Sequence, residues 1–182
     1  QKIEGIYFVG IGGIGMSALA LYFMKKGYTV AGYDRSESKI THSLAEHGCS
    51  ISVIDKVDSL PSLFRESSDM NKILIVYTPA IPAENAILSY FRDNDYRICK
   101  RAEVLGAISI HTDTLAVAGT HGKTTVSTMI AHLLKQSDID CSAFLGGISK
   151  NYNSNLLLGN SRYTVIEADE FDRSFHWLNP LM

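Results

Sequence analysis

Seven consecutive residues, Gly119, Thr120, His121, Gly122, Lys123, Thr124 and Thr125, carry the strongest chemical signal in the sequence. The glycines let backbone N–H groups approach phosphate oxygens, and a following helix adds the favourable end of its dipole. Lys123 would then reach β- and γ-phosphates, and the Thr124 hydroxyl would ligate Mg²⁺. The flanks agree: an apolar run over 115–118 precedes the loop, and Val126, Met129, Ile130, Leu133 and Leu134 follow at the spacing of one helical face. The common form G-x-x-x-x-G-K-[ST] wants glycine where this chain has Val117, so the loop here is one of shorter spacing. It predicts a nucleoside-triphosphate site; the plainer alternative is a strand-to-helix turn with a chance lysine.

A second glycine loop lies near the N-terminus: Gly10, Gly12, Gly13, Ile14 and Gly15 follow a buried strand over 6–9 and precede a helix over 16–26. The next strand, 29–33, ends at Asp34. This is the G-x-G-x-x-G fingerprint with its acidic residue at the end of the second strand. It puts a pyrophosphate on the loop backbone and a sugar hydroxyl on Asp34. A pyrophosphate looks the same in NAD and in a UDP-sugar, so the fingerprint leaves the nucleotide open. Downstream of the phosphate loop, a strand over 163–166 runs into Glu167, Asp169, Glu170 and Asp172. A carboxylate at such a strand end is where the second Mg²⁺ anchor of a triphosphate site is expected, and Glu167 is the first choice. The other three read equally well as solvated.

Several function classes are excluded or disfavoured. A formal net charge of −2 gives no electrostatic case for nucleic acid or an anionic membrane, so phosphate binding must be local. No apolar run approaches membrane-spanning length. Cys49, Cys99 and Cys141 are widely spaced and odd in number, which supports neither a zinc site nor a disulfide framework and fits a reducing cytoplasm. Hydrophobic content of 46% in 182 residues suffices for a core without staples. The first residue is not methionine and the chain ends just after the acidic motif, so a trimmed protein is expected.

Around the two loops the pattern predicts further elements. A helix capped by Ser36 or Ser38 reaches Glu46, with His42 and His47 as surface residues; strands follow at 50–54 and 72–77. Thr78, Ala80 and the two prolines around Ile81 form a rigid loop at a strand's carboxyl end, the side on which open α/β sheets bind ligands. A helix over 83–93, a strand over 96–99 and a helix opening at Arg101 come next. Arg101 is either a phosphate ligand or a solvated helix-end charge. The polar segment 109–114 marks the expected boundary between domains 1–110 and 111–182. Beyond the phosphate-loop helix, 141–145 reads as a strand and 150–160 as a polar loop. The fold class is α/β: a Rossmann-like parallel sheet, then the start of a P-loop ATPase domain.

These motifs in this order resemble the Mur ligase family, the ATP-dependent amide-forming enzymes of peptidoglycan synthesis. The carrying residues are the Gly10–Gly15 loop with Met16 and Ser17, Thr78 to Ile81, Arg101 to Glu103, the seven-residue loop at 119–125, and Glu167 to Glu170. The shortened phosphate loop is the form this family uses. The resemblance implies that the first loop, with Asp34, Thr78, Ala80 and Arg101, holds UDP-N-acetylmuramate rather than NAD. It implies that ATP phosphorylates the lactyl carboxylate and that the amine of L-alanine, or of a murein tripeptide in a recycling relative, attacks the acyl phosphate. Thr124 and Glu167 would hold Mg²⁺; His121 would orient phosphates or make a structural hydrogen bond. The family has three domains, so this chain would contain the first and the start of the second, and would not turn over alone.

Overall fold

A computed structural model describes residues 2–168 and 174–182, and within it the chain forms two compact units, Gln1–Arg101 and Ala102–Met182. In the first, β1 (Gly5–Val9), α1 (Ile14–Lys25), β2 (Thr29–Tyr33), α2 (Lys39–Glu46) and β3 (Ser50–Ser52) are followed by α3 (Ser62–Arg65), β4 (Ile73–Tyr77), α4 (Ala86–Asp93) and β5 (Arg97–Lys100). The five strands pair in the order β3-β2-β1-β4-β5, all parallel. β1 is central and buried at every position, which explains its unbroken apolar character. Tyr7 and Val9 face one layer, with Phe64, Ile75, Ile87 and Phe91, while Phe8 meets Phe23 of α1 on the other. Because β1 pairs with β2 on one side and β4 on the other, the strand order reverses beside it. The first glycine loop leaves the sheet at that switch point, where α/β sheets open a crevice.

Local chemistry ends the elements where it should. Gly27 and Gly48 take positive φ (+86° and +94°) just past α1 and α2. Ser38 and Thr41 form a reciprocal capping box on α2, settling the choice between Ser36 and Ser38. α4 begins at Ala86 rather than 83. Asn85 accepts from Leu88 N, while Asp55, from a distant loop, accepts from Ala86 N and Ile87 N.

The second unit contains most of α5 (Arg101–Ile110), then β6 (Asp113–Val117), α6 (Lys123–Gln136), β7 (Ser142–Ser149), β8 (Ser154–Leu157) and β9 (Tyr163–Glu167). Its sheet runs β6-β9-β7-β8, with β9 parallel to both neighbours and β8 antiparallel to β7. The compact units divide after Arg101, ahead of segment 109–114. The physical reason is that α5 packs on the chain's last residues: Gly106 lies against the Trp177 backbone, and Asn179 N donates to Ser109 Oγ. Pro180 bridges Thr114, so the end of the chain runs alongside β6.

Two expectations fail here. Residues 154–157 are strand rather than loop, because Asn155, Leu156 and Leu157 are buried against β7, and polar flanks hid so short an apolar run. The apolar face read along α6 is also not the buried one. Ser127 and Ala131 are fully buried, Ile130 and Leu134 pack partly on the core, and Val126, Met129 and Leu133 are exposed.

Candidate functional site

The first glycine loop is held by its neighbours one residue at a time. Gly10 N and Ile11 N both donate to Tyr33 O, at 2.7 and 3.0 Å, which ties the loop to the end of β2. Gly10 sits at φ +91°, and a Cβ there would come within 2.7 Å of Thr78 Cγ2. Gly12 N donates to Asp34 Oδ2 at 2.8 Å, so the acidic residue at the end of β2 grips the loop backbone. A Cβ at Gly15 would meet Arg101 Nη1 at 2.5 Å, placing that guanidinium at the N-terminus of α1. Gly13 is the N-cap of α1 and Ile14 its first residue. A guanidinium beside a helix N-terminus suits an anion. Of the residues expected here, Asp34, Thr78 and Arg101 meet the glycines, while Ala80 is exposed on the adjoining turn and Ile81 takes the place against Gly10. Ile81 belongs to the Thr78 to Ile81 motif of the sequence reading but was not counted there among the site residues. His42 and His47 lie on the exposed face of α2, as read.

The second loop joins β6 to α6. Gly119 (φ +136°) and Gly122 (φ +80°) take conformations that a side chain would strain, and Gly122 is the N-cap of α6. Lys123 Nζ folds back to donate to Gly119 O at 2.7 Å. Thr120, His121 and Thr125 are exposed along the loop and the helix start. Glu167 is the last residue of β9 and pairs in register with Val117, the last of β6. That register carries its carboxylate to the phosphate loop: Thr124 Oγ1 donates to Glu167 Oε2 at 3.1 Å. The other oxygen, Oε1, accepts from Ser127 Oγ at 2.8 Å and from Gly146 N at 2.7 Å. Ser127 and Gly146 were missed. Their signals, a hydroxyl three residues after Thr124 and a glycine pair inside β7, are too common to stand out. Asp169, Glu170 and Asp172 lie outside the described residues.

The donor set fits a small hard cation. Two ligands at right angles around octahedral Mg²⁺ stand about 3.0 Å apart, and the Thr124 and Glu167 oxygens are separated by 3.1 Å. Among the described residues no three His, Cys, Asp or Glu side chains cluster as a metal cage. Mg²⁺ characteristically binds through one or two protein oxygens together with phosphate and water.

Comparison with known proteins supplies the context. The family described as "Mur ligase family, catalytic domain" matches residues 5–112. A UDP-N-acetylmuramate–L-alanine ligase from Porphyromonas gingivalis is 58% identical over 99% of this chain and 39% of its own length. One of the same name from Parabacteroides distasonis is 55% identical over 100% and 39%. Among solved structures, the UDP-N-acetylmuramate–alanine ligase of Thermotoga maritima superposes with TM-score 0.82 at 33% identity, covering 97% of this chain and 39% of that one. A murein peptide ligase from Psychrobacter arcticus gives TM-score 0.82 at 27% identity, over 97% and 41%. The chain thus spans about two fifths of the length of the curated relatives it matches. With more than half of its residues inside the family match, the chain belongs to the Mur ligase family.

Proposed function

We propose that this chain supplies the sugar-nucleotide unit and the phosphate loop of an ATP-dependent ligase. The ligase joins L-alanine to the lactyl carboxylate of UDP-N-acetylmuramate in peptidoglycan precursor synthesis. The observation that carries the reading is the meeting of Thr124 and Glu167, 43 residues apart in sequence, at the head of the phosphate-loop helix. The first domain, 1–110, holds the UDP-sugar through the loop of Gly10, Gly12, Gly13, Ile14 and Gly15, with Asp34, Thr78, Ala80 and Arg101 around it. The second, 111–182, holds ATP through residues 119–125.

A carboxylate is unreactive toward amines, and transfer of the γ-phosphoryl group to it supplies a leaving group. The acyl phosphate then loses phosphate to the attacking amine, giving the amide, ADP and phosphate. Lys123 would leave Gly119 O and neutralise charge on the β/γ oxygens, while Gly119 and Gly122 let backbone N–H groups line the phosphates. Thr124 and Glu167 would hold Mg²⁺, which when bound screens the same oxygens. His121, exposed in the loop, would help orient them.

A murein peptide as the incoming amine is the second reading, favoured by the Psychrobacter arcticus likeness. The higher identity of the alanine-adding relatives supports alanine. Separate calorimetric titrations with UDP-N-acetylmuramate, MgATP and NADH test the proposal. The first two are expected to saturate and the third not to bind, and Lys123→Ala should lose MgATP while keeping the sugar nucleotide. Saturable NADH binding with no response to UDP-N-acetylmuramate would overturn it.

A further inference from the structure

Glu167 is more constrained than a metal-binding carboxylate needs to be. The terminal torsion of a glutamate is broad and roughly two-fold, so a carboxylate tethered at one point presents either oxygen over a wide arc. Here Oε1 takes two donors from two different elements, Ser127 of α6 and Gly146 of β7. Oε2 is left facing Thr124. Ser127 is fully buried, and its single hydroxyl hydrogen has two acceptors in range, Glu167 Oε1 at 2.8 Å and Thr124 O at 3.1 Å. The shorter bond to the charged acceptor is the stronger, so the hydroxyl serves Glu167. At Gly146, a Cβ would lie closer to Glu167 Oε2 than side-chain atoms ever come, so glycine is needed for the carboxylate to sit where it does.

We infer that Ser127 and the Gly146 amide form a clamp that fixes Glu167 Oε1 and thereby presents Oε2 as the cation-facing oxygen. Ser127 and Gly146 are positioning residues, touching neither metal nor nucleotide. The inference rests on the reading of Glu167 as a Mg²⁺ ligand and goes beyond it by naming what aims the carboxylate. Groups that orient a metal ligand in this way typically change metal affinity by 10- to 100-fold when removed.

The test measures ADP affinity calorimetrically in EDTA and in saturating Mn²⁺, taking the ratio of the two as the readout. Ser127→Ala should shrink that ratio about tenfold or more, with the EDTA affinity unchanged, because Lys123 and the loop amides are intact. Ser127→Thr, which keeps the hydroxyl, should restore most of the ratio. Gly146→Ala keeps the amide, but its Cβ would displace the Glu167 carboxylate itself, so it should lower the ratio as a control for movement of that side chain. A general weakening of the fold would lower both affinities and leave the ratio alone, which would count against the clamp. Glu167→Gln separates the two layers of argument. If it collapses the ratio while Ser127→Ala preserves it, the clamp is wrong and the metal assignment stands. If Glu167→Gln itself preserves the ratio, the metal assignment falls and the clamp with it.

Discussion

Replacing Asp34 probes how the first glycine loop is held. Its carboxylate accepts from Gly12 N at 2.8 Å, and Ser36 N lies at a weak 3.4 Å from the other oxygen. Hydrogen bonds to a charged acceptor contribute about 1.5–3 kcal/mol. Asp34 is only half-buried, so the lower end applies, and Asp34→Ala should cost about 1.5 kcal/mol of local stability. That corresponds to roughly a tenfold rise in the opening of the loop. Asp34→Asn keeps a carbonyl oxygen in the same place but loses the charge, and a neutral bond contributes about 1 kcal/mol, so the rise should be only about twofold to fivefold. Amide hydrogen exchange at Gly12 reads this opening directly. The expected order of protection is wild type, then Asn, then Ala, with amides of β4 on the far side of β1 unchanged. Equal protection of Gly12 in wild type and Asp34→Ala would refute the reasoning, because the amide would then owe its order to something other than this bond.

Two more outcomes are expected in other parts of the molecule. Lys135 donates to Asp140 at 2.6 Å and holds that carboxyl below its ordinary value, with a backbone bond from Asn160 assisting. A carboxyl whose folded value is lowered adds stability above its ordinary range and loses it as pH falls through the lowered value. Asp140→Asn, which tolerates the left-handed backbone at this position (φ +61°), should therefore lower urea stability by about 1 kcal/mol at pH 7 and progressively less below about pH 4. A difference that stays constant to pH 2 would contradict this. Burial pushes the Cys49 thiol up to about 12 and Cys141 to about 11, whereas Cys99 is half-buried. Maleimide at pH 8 should label native protein at Cys99, reaching the other two only after unfolding; peptide mass spectrometry that finds Cys141 modified as fast as Cys99 would speak against that order.

Legibility in the sequence tracked the range of the signal. The glycine stops of α1 and α2 were readable because each depends on residues a few positions away. β8 was missed because Asn153, Ser154 and Asn155 suggest a turn, and only the pairing with β7 makes Ser154–Leu157 a strand. The face of α6 was misread for a related reason. Apolar spacing predicts a helix well, but which stripe meets the sheet depends on where the sheet lies. Here small residues, Ser127 and Ala131, sit closest to it, where the helix makes most of its contacts with β7 and β9. No local signal announces that α5 packs on Trp177 and Asn179, some 70 residues on.

Taken alone, the order of residues determined two glycine loops, each between an apolar strand and a helix, the acidic strand end, and the family these motifs resemble. Those features are short and contiguous, and backbone freedom, capping and periodicity act over a few residues at a time. Tertiary structure decided which partners each loop acquired: Asp34 on Gly12, Arg101 at Gly15, and Glu167 between Thr124, Ser127 and Gly146. Each partner lies 21 to 86 residues in sequence from the group it meets. Only strand order and register, which set Val117 beside Glu167 and β1 between β2 and β4, bring them within hydrogen-bonding distance.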